Sequence, residues 1–159
     1  MSTRLFVQTL IQNLYPNLNV RVWQPPNKYS EINIYLGDSE EFLNKDTISS
    51  IKKLLPCHLE YNFKIYHQLN QDKVPPEPKL PPLVERLAMS DGGNKEAIKL
   101  KIEKGLPDLV PFVLHVAVPE NIIGIETKNK FTDEELVKLQ IYAQELAPLG
   151  TWIKVFCKK

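Results

Sequence analysis

Apolar residues alternate with polar ones at Leu18, Val20 and Val22, whose neighbours Asn19, Arg21 and Trp23 take the other phase. A period of two puts one face of a strand in a core and the other outside it. Pro25-Pro26-Asn27 turns the chain, and Ile32, Ile34 and Leu36 repeat the alternation against Asn33 and Tyr35. Leu59 to Ile65 is the cleanest case, with Tyr61, Phe63 and Ile65 set against Glu60, Asn62 and Lys64. Phe112, Leu114, Val116 and Val118 form a strand that is apolar on both faces except at His115, which predicts a central position. Pro119 turns it into Ile122 to Glu126, and Thr151 to Cys157 closes the chain as a strand with Ile153 and Val155 inward.

A longer period marks the helices. Val7, Leu10, Ile11 and Leu14 share one stripe between a cap at Ser2 or Thr3 and a stop at Pro16. Asp46 is the expected cap of a helix facing inward through Ile48, Ile51, Leu54 and Leu55 and stopped by Pro56. A short helix is expected over Leu83 to Met89, after Pro82. Lys95 to Lys104 alternates like a strand at Ile98, Leu100 and Ile102, but its Lys, Glu and Ala content assigns it to helix. Thr132 and Glu135 form a capping box, with Phe131 and Leu136 as its staple. Leu136, Leu139, Ala143, Leu146 and Ala147 supply that helix's buried stripe, which Pro148 and Gly150 end.

This order of elements occurs twice. The shift that carries Pro56 onto Pro148 also carries Tyr61, Phe63 and Ile65 onto Ile153, Val155 and Cys157, so the inward phase of the last strand is kept. Such self-similarity predicts an internal duplication. The expected fold is α/β of the α+β type: two pseudo-repeated αββαβ units with helices on one face of small mixed sheets, a topology related to the ferredoxin-like fold with one strand missing. Residues 1–67 form the first unit, and residues 68–82, dense in proline from Val74 to Pro82, form an extended connector. Residues 83–159 form the second unit with its short preceding helix.

Composition narrows the function classes. The 159 residues are 43% hydrophobic, enough for a packed core, and the net charge of +1 provides no global field toward nucleic acid or anionic lipid. No run approaches the roughly 18–20 apolar residues that span a bilayer. The polar Gln8, Gln12 and Asn13 interrupt any signal-like N-terminal core, so the expected location is cytoplasmic. Cys57 and Cys157 stand outside any Cys-x-x-Cys pairing and read as two reduced thiols.

The inventory for catalysis is poor. His58, His67 and His115 lack the spacing that aims two rings at one ion, and neither a metal nor a cofactor is expected. Asp133-Glu134-Glu135 is accounted for by the first turn of a helix, and Asp38, Glu40 and Glu41 by a solvated cap. Ser90-Asp91-Gly92-Gly93-Asn94-Lys95 lacks P-loop glycine spacing and reads as a turn with Asn94 as helix cap. Pro78-Lys79-Leu80-Pro81 has the P-x-x-P form without a correctly spaced cation and reads as a spacer.

Two sheet surfaces remain. Arg21, Trp23, Asn33, Tyr35, Asn62, Lys64 and Tyr66 share the outward face of the first unit. Its three aromatics and two cations are what single-stranded nucleic acid stacks on, and in geometry alone the face resembles RNA-recognition-type sheets, without their RNP signature. The second unit's equivalent face, with Val113, Ala117, Ile122, Trp152, Lys154 and Phe156, is too apolar to leave in water. The expected function is a non-enzymatic module for protein interaction or self-association through sheet faces or edges, with Val113, Trp152 and Phe156 at the interface. The alternative is RNA or single-stranded DNA binding through Arg21, Trp23, Tyr35, Lys64 and Tyr66. A weaker one is an enzyme with a site between the units around Asp91, His115 and Cys157.

Overall fold

The computed structural model describes residues 2–25, 31–37, 45–55, 59–66, 73–90, 94–117 and 122–159, the side chains of Tyr66 and Ala117 excepted. Several sequence features lie outside the described residues: Pro26-Asn27, Asp38, Glu40 and Glu41, Pro56 with Cys57 and His58, His67, Asp91-Gly92-Gly93, and Val118-Pro119. The elements are α1 (Arg4–Leu14), β1 (Asn19–Trp23), β2 (Glu31–Gly37), α2 (Lys45–Lys52), β3 (Glu60–Tyr66), α3 (Pro82–Ala88), α4 (Lys95–Gly105), β4 (Phe112–Ala117), β5 (Ile122–Thr127), α5 (Asp133–Leu146) and β6 (Trp152–Cys157). The fold is α+β, with two small mixed three-stranded sheets. The chain divides into two compact units, Arg4–Glu77 and a second made of Met1–Thr3 with Pro78–Lys159.

In Arg4–Glu77 the sheet order is β1-β2-β3, with β1 antiparallel and β3 parallel to the central β2. The parallel pair requires a crossover, which α2 supplies. Ile32, Ile34 and Leu36 of β2 lie opposite Tyr61, Phe63 and Ile65 of β3. With Val20 and Val22 they meet a core that also takes in Val7, Ile11, Ile51 and Leu55. Two stripe positions depart from expectation: Leu14 is 54% exposed and Leu54 37%. Leu14 is the last residue of its helix, and Leu54 lies in the turn after α2, where helical periodicity no longer sets direction. Asp46 sits inside the first turn, because α2 begins at Lys45.

The other unit repeats the pattern of directions, with order β4-β5-β6, β4 antiparallel and β6 parallel to β5. Ile123, Ile125 and Thr127 lie opposite Ile153, Val155 and Cys157 and are buried with Ala143, Leu146, Ile98 and Ile102. Asn94 caps α4 by accepting the Ala97 amide at 3.0 Å. α5 carries both halves of its capping box, with Glu135 N–H donating to Thr132 Oγ1 and Thr132 N–H to Glu135 Oε2, each at 3.2 Å. Thr3, read as a cap for α1, is buried, and its hydroxyl donates to the Ala88 carbonyl.

The central position expected for Phe112–Ala117 is corrected: β4 is an edge strand, and the centre belongs to β5. β5 carries Gly124 and Glu126 on its outward phase, which disguised it as a half-polar strand. β4 is apolar on both faces except at His115, while Val113 on one face is 47% exposed and Val116 on the other is 42% exposed.

Candidate functional site

Strand register assigns residues to faces. On the outward side of the second sheet the rows run Ile122–Trp152, His115–Gly124–Lys154 and Val113–Glu126–Phe156, and the Ala117 backbone pairs with Ile122. Gly124 leaves a gap in the middle of this surface. The Phe156 and His115 rings lean toward it from either side and stack with centroids 6.1 Å apart and planes 25° apart. A Cβ at Gly124 would come within 3.1 Å of Phe156 Cε1 and 3.7 Å of the His115 Cβ, so the missing side chain is what admits the pair. His115 Nε2 lies 3.7 Å from Glu126 Oε1. Phe156 is 40% exposed and Trp152 half-buried, so the expected interface residues share one face on which Val113 and Phe156 are open.

The aromatic face of the first sheet is more heavily engaged. Register places Arg21, Tyr35 and Lys64 in one row and Trp23, Asn33 and Asn62 in the next, and the Tyr66 backbone pairs with Gly37. Tyr35 is only 7% exposed, and Lys64 Nζ stands 5.6 Å from its ring centroid. Asn62 donates to Asn33 at 3.3 Å and to Glu31. Arg21 forms an ion pair with Glu77, from the Pro-rich segment, and Arg4 binds the same carboxylate. Gln8 Nε2 adds a third donor at 3.0 Å. Base stacking needs a bare ring and free cations, so this row offers nucleic acid less than its composition implies.

Edges complete the picture. An edge strand exposes unpaired amides and carbonyls that template another strand. On β1, the Val20 amide donates to Gln12 Oε1 at 3.2 Å and the Val22 amide to Gln8 Oε1 at 3.0 Å. Gln12 Nε2 donates to the Leu18 carbonyl and Arg4 Nη1 to the Val22 carbonyl. On β6, the Ile153 amide donates to Gln144 Oε1 at 2.9 Å and the Val155 amide to Gln140 Oε1 at 3.2 Å, while Gln144 Nε2 donates to the Thr151 carbonyl at 2.7 Å. The spacing works because four helical residues rise about 6 Å and two strand residues about 6.6 Å. A helix lying antiparallel beside an edge strand can therefore reach successive outward backbone groups with residues four apart.

The two units are sealed on different edges, β1 in one and β6 in the other. Of the remaining two, β3 carries exposed Glu60 and Lys64, charges that discourage pairing. β4 has no charged residue. The Lys128 amide donates to the Pro111 carbonyl at 3.1 Å, which fixes the hydrogen-bonding phase of the ladder. Since phases alternate, Val113 and His115 bond to β5, and the amides and carbonyls of Phe112, Leu114 and Val116 point to the outer edge, where no strand among the described residues pairs. Just before the strand, Asn129 Nδ2 donates to the Asp108 and Val110 carbonyls at 2.8 and 3.0 Å, and Thr127 Oγ1 donates to the Leu109 carbonyl at 2.7 Å. The entrance to β4 is thereby held in place.

The two described residues proposed for catalysis lie on opposite faces of the second sheet. His115 stands on the outward face and Cys157, a free half-buried thiol opposite Thr127, on the inward one. Asp91 lies outside the described residues. Among the described residues no group of three His, Cys, Asp or Glu side chains is placed to hold a metal ion. Sequence reasoning missed the sealing glutamines and Glu77; the legible signal was the four-residue spacing of Arg4, Gln8 and Gln12 and of Gln140 and Gln144 on helices beside strands.

No family model and no curated protein matches the chain. Among solved structures it is similar to the PrgH periplasmic domain, at 10% identity and a TM-score of 0.31, over 96% of this chain and 66% of that one. A second match, described as the periplasmic domain of the T3SS inner membrane protein PrgH from S. typhimurium, has the same identity and TM-score and is covered over 74% of its length. A likeness at that score assigns no role to this chain.

Proposed function

We propose that the chain is a non-enzymatic assembly module that binds protein through the second sheet, using the β4 edge and the face bearing Val113, Trp152 and Phe156. The observation that carries the reading is a contrast. β1 and β6 have their outward backbone groups occupied by helix side chains, β3 is guarded by charge, and β4 is apolar on both faces except at His115, with no hydrogen bond from the described residues to its edge groups. A sheet protected elsewhere and bare at one edge suits strand pairing there. No helix among the described residues is long and apolar enough to cross a membrane. The spacing of Cys57 and Cys157 in sequence fits a reducing compartment, and we place the module in the cytoplasm on that ground.

Light scattering over a concentration series, run beside an oligonucleotide titration, tests this reading. Assembly predicts a mass that rises with concentration and no quenching of Trp23. A strict monomer at every concentration, with Trp23 quenched by oligonucleotide in a salt-sensitive way, overturns it in favour of nucleic acid binding.

A further inference from the structure

We infer that the occupant of the β4 edge is the β4 strand of a second copy of this chain, paired antiparallel about a two-fold axis at Leu114. The inference rests on the assembly reading and deepens it by naming the partner and the register. Phe112, Leu114 and Val116 are the residues whose backbone groups face outward. A two-fold at Leu114 sets Phe112 opposite Val116 of the second copy and Leu114 opposite its own equivalent. Every outward amide then meets an outward carbonyl, about six bonds in all by the antiparallel pattern. A register that moves the axis by half a residue puts outward groups against inward ones and loses the ladder, and one that moves it by a whole residue keeps the phase but pairs fewer of Phe112, Leu114 and Val116.

Side chains agree with this register on both faces. On the inner face Phe112 meets Val116 and Leu114 meets Leu114, all apolar. On the outer face Val113 falls opposite His115 of the second copy, in the closer, non-hydrogen-bonded pairs. The row His115–Gly124–Lys154 of one copy thus continues into the row Val113–Glu126–Phe156 of the other. The charged Lys154 and Glu126 of these rows stand on β6 and β5, behind the seam, so the residues that meet across it on this face are Val113 and His115. No like-charged pair is brought together within β4, because Phe112–Ala117 contains no acidic residue, lysine or arginine. Val113 and Val116, open at 47% and 42%, lie on opposite faces, so a flanking strand covers both.

An edge pair of this length falls below the roughly 1,200 Å² of total buried surface that marks standard interfaces, so a dimer of about micromolar or weaker dissociation constant is expected. Because the contact is isologous, each substitution acts twice.

The test uses the full chain with Cys57→Ser and Cys157→Ser, as two single variants, Val113→Cys and His115→Cys. Mild oxidation of their mixture is expected to yield a disulfide-linked dimer, since these positions oppose each other across the two-fold. Val113→Lys, at an exposed site, is expected to weaken dimerisation at least tenfold, as measured by sedimentation, while leaving the circular dichroism spectrum intact. Cross-linking in the mixture with loss of dimer in Val113→Lys supports the inference. A concentration-dependent mass without this cross-link, unmoved by Val113→Lys, overturns the β4 register and leaves the assembly reading standing. A monomer at every concentration overturns the second copy as occupant, and only together with salt-sensitive quenching of Trp23 by oligonucleotide does it overturn the assembly reading as well.

Discussion

Removing one sealing side chain tests whether the glutamines act as edge guards. Gln144 makes two bonds to the β6 backbone, accepting from the Ile153 amide at 2.9 Å and donating to the Thr151 carbonyl at 2.7 Å. Gln144→Ala removes both partners at once. At about 1 kcal/mol net for each bond, the second unit should lose about 2 kcal/mol of stability. Gln144→Glu keeps the acceptor for Ile153 and turns the donor into a carboxylate facing a carbonyl. That repulsion raises the carboxyl's folded-state pKa above its unfolded value, so the variant is destabilised at neutral pH and recovers as the pH falls through the folded value and the acid becomes a donor again. Urea denaturation in a Trp23→Phe background reads this unit through Trp152, which lies on β6 itself. A loss below ~0.5 kcal/mol for Gln144→Ala, the range of ordinary surface changes, would mean that water replaces the amide without penalty and would refute the sealing argument.

Other consequences follow from single contacts. Thr132→Ala deletes one half of the capping box and should cost about 1 kcal/mol, measured by the same denaturation. Gly124→Ala brings a Cβ to 3.1 Å from Phe156 Cε1, so the exposed ring should swing away from His115 with little change in stability; altered ring-current shifts on the His115 protons would show it, and an unchanged stack would contradict it. Glu77→Gln removes the charge shared by Arg4 and Arg21 and should make the Pro-rich segment more sensitive to limited proteolysis, with cleavage near residue 77 as the readout. Unchanged proteolysis would show that the prolines alone hold the segment.

Much of the fold was legible wherever one physical effect acted alone. Thr132 and Glu135 announced their helix because capping is a local interaction. Tyr61 to Ile65 announced β3 because its alternation is complete, although Ile65 is 44% exposed, so alternation reported face and not depth. Lys95–Gly105 went to helix against the alternation of Ile98, Leu100 and Ile102 because Asn94 caps it and its residues favour helix. β4 misled because apolarity on two faces reports how much a strand can be covered, not whether a neighbour in the same chain covers it. The rows of the two sheet faces followed from parity, but their occupancy did not. Nothing local predicts that Glu77 reaches Arg21, or that polar Gln8 and Gln12 serve a strand and do more than interrupt an apolar run.

Amide hydrogen exchange, residue by residue and at several protein concentrations, measures the difference between a guarded edge and an open one. Ile153 and Val155 should be protected at every dilution, while Phe112, Leu114 and Val116 should exchange fast when dilute and slow as the protein is concentrated. Equal protection of both sets, with no dependence on concentration, would contradict the account.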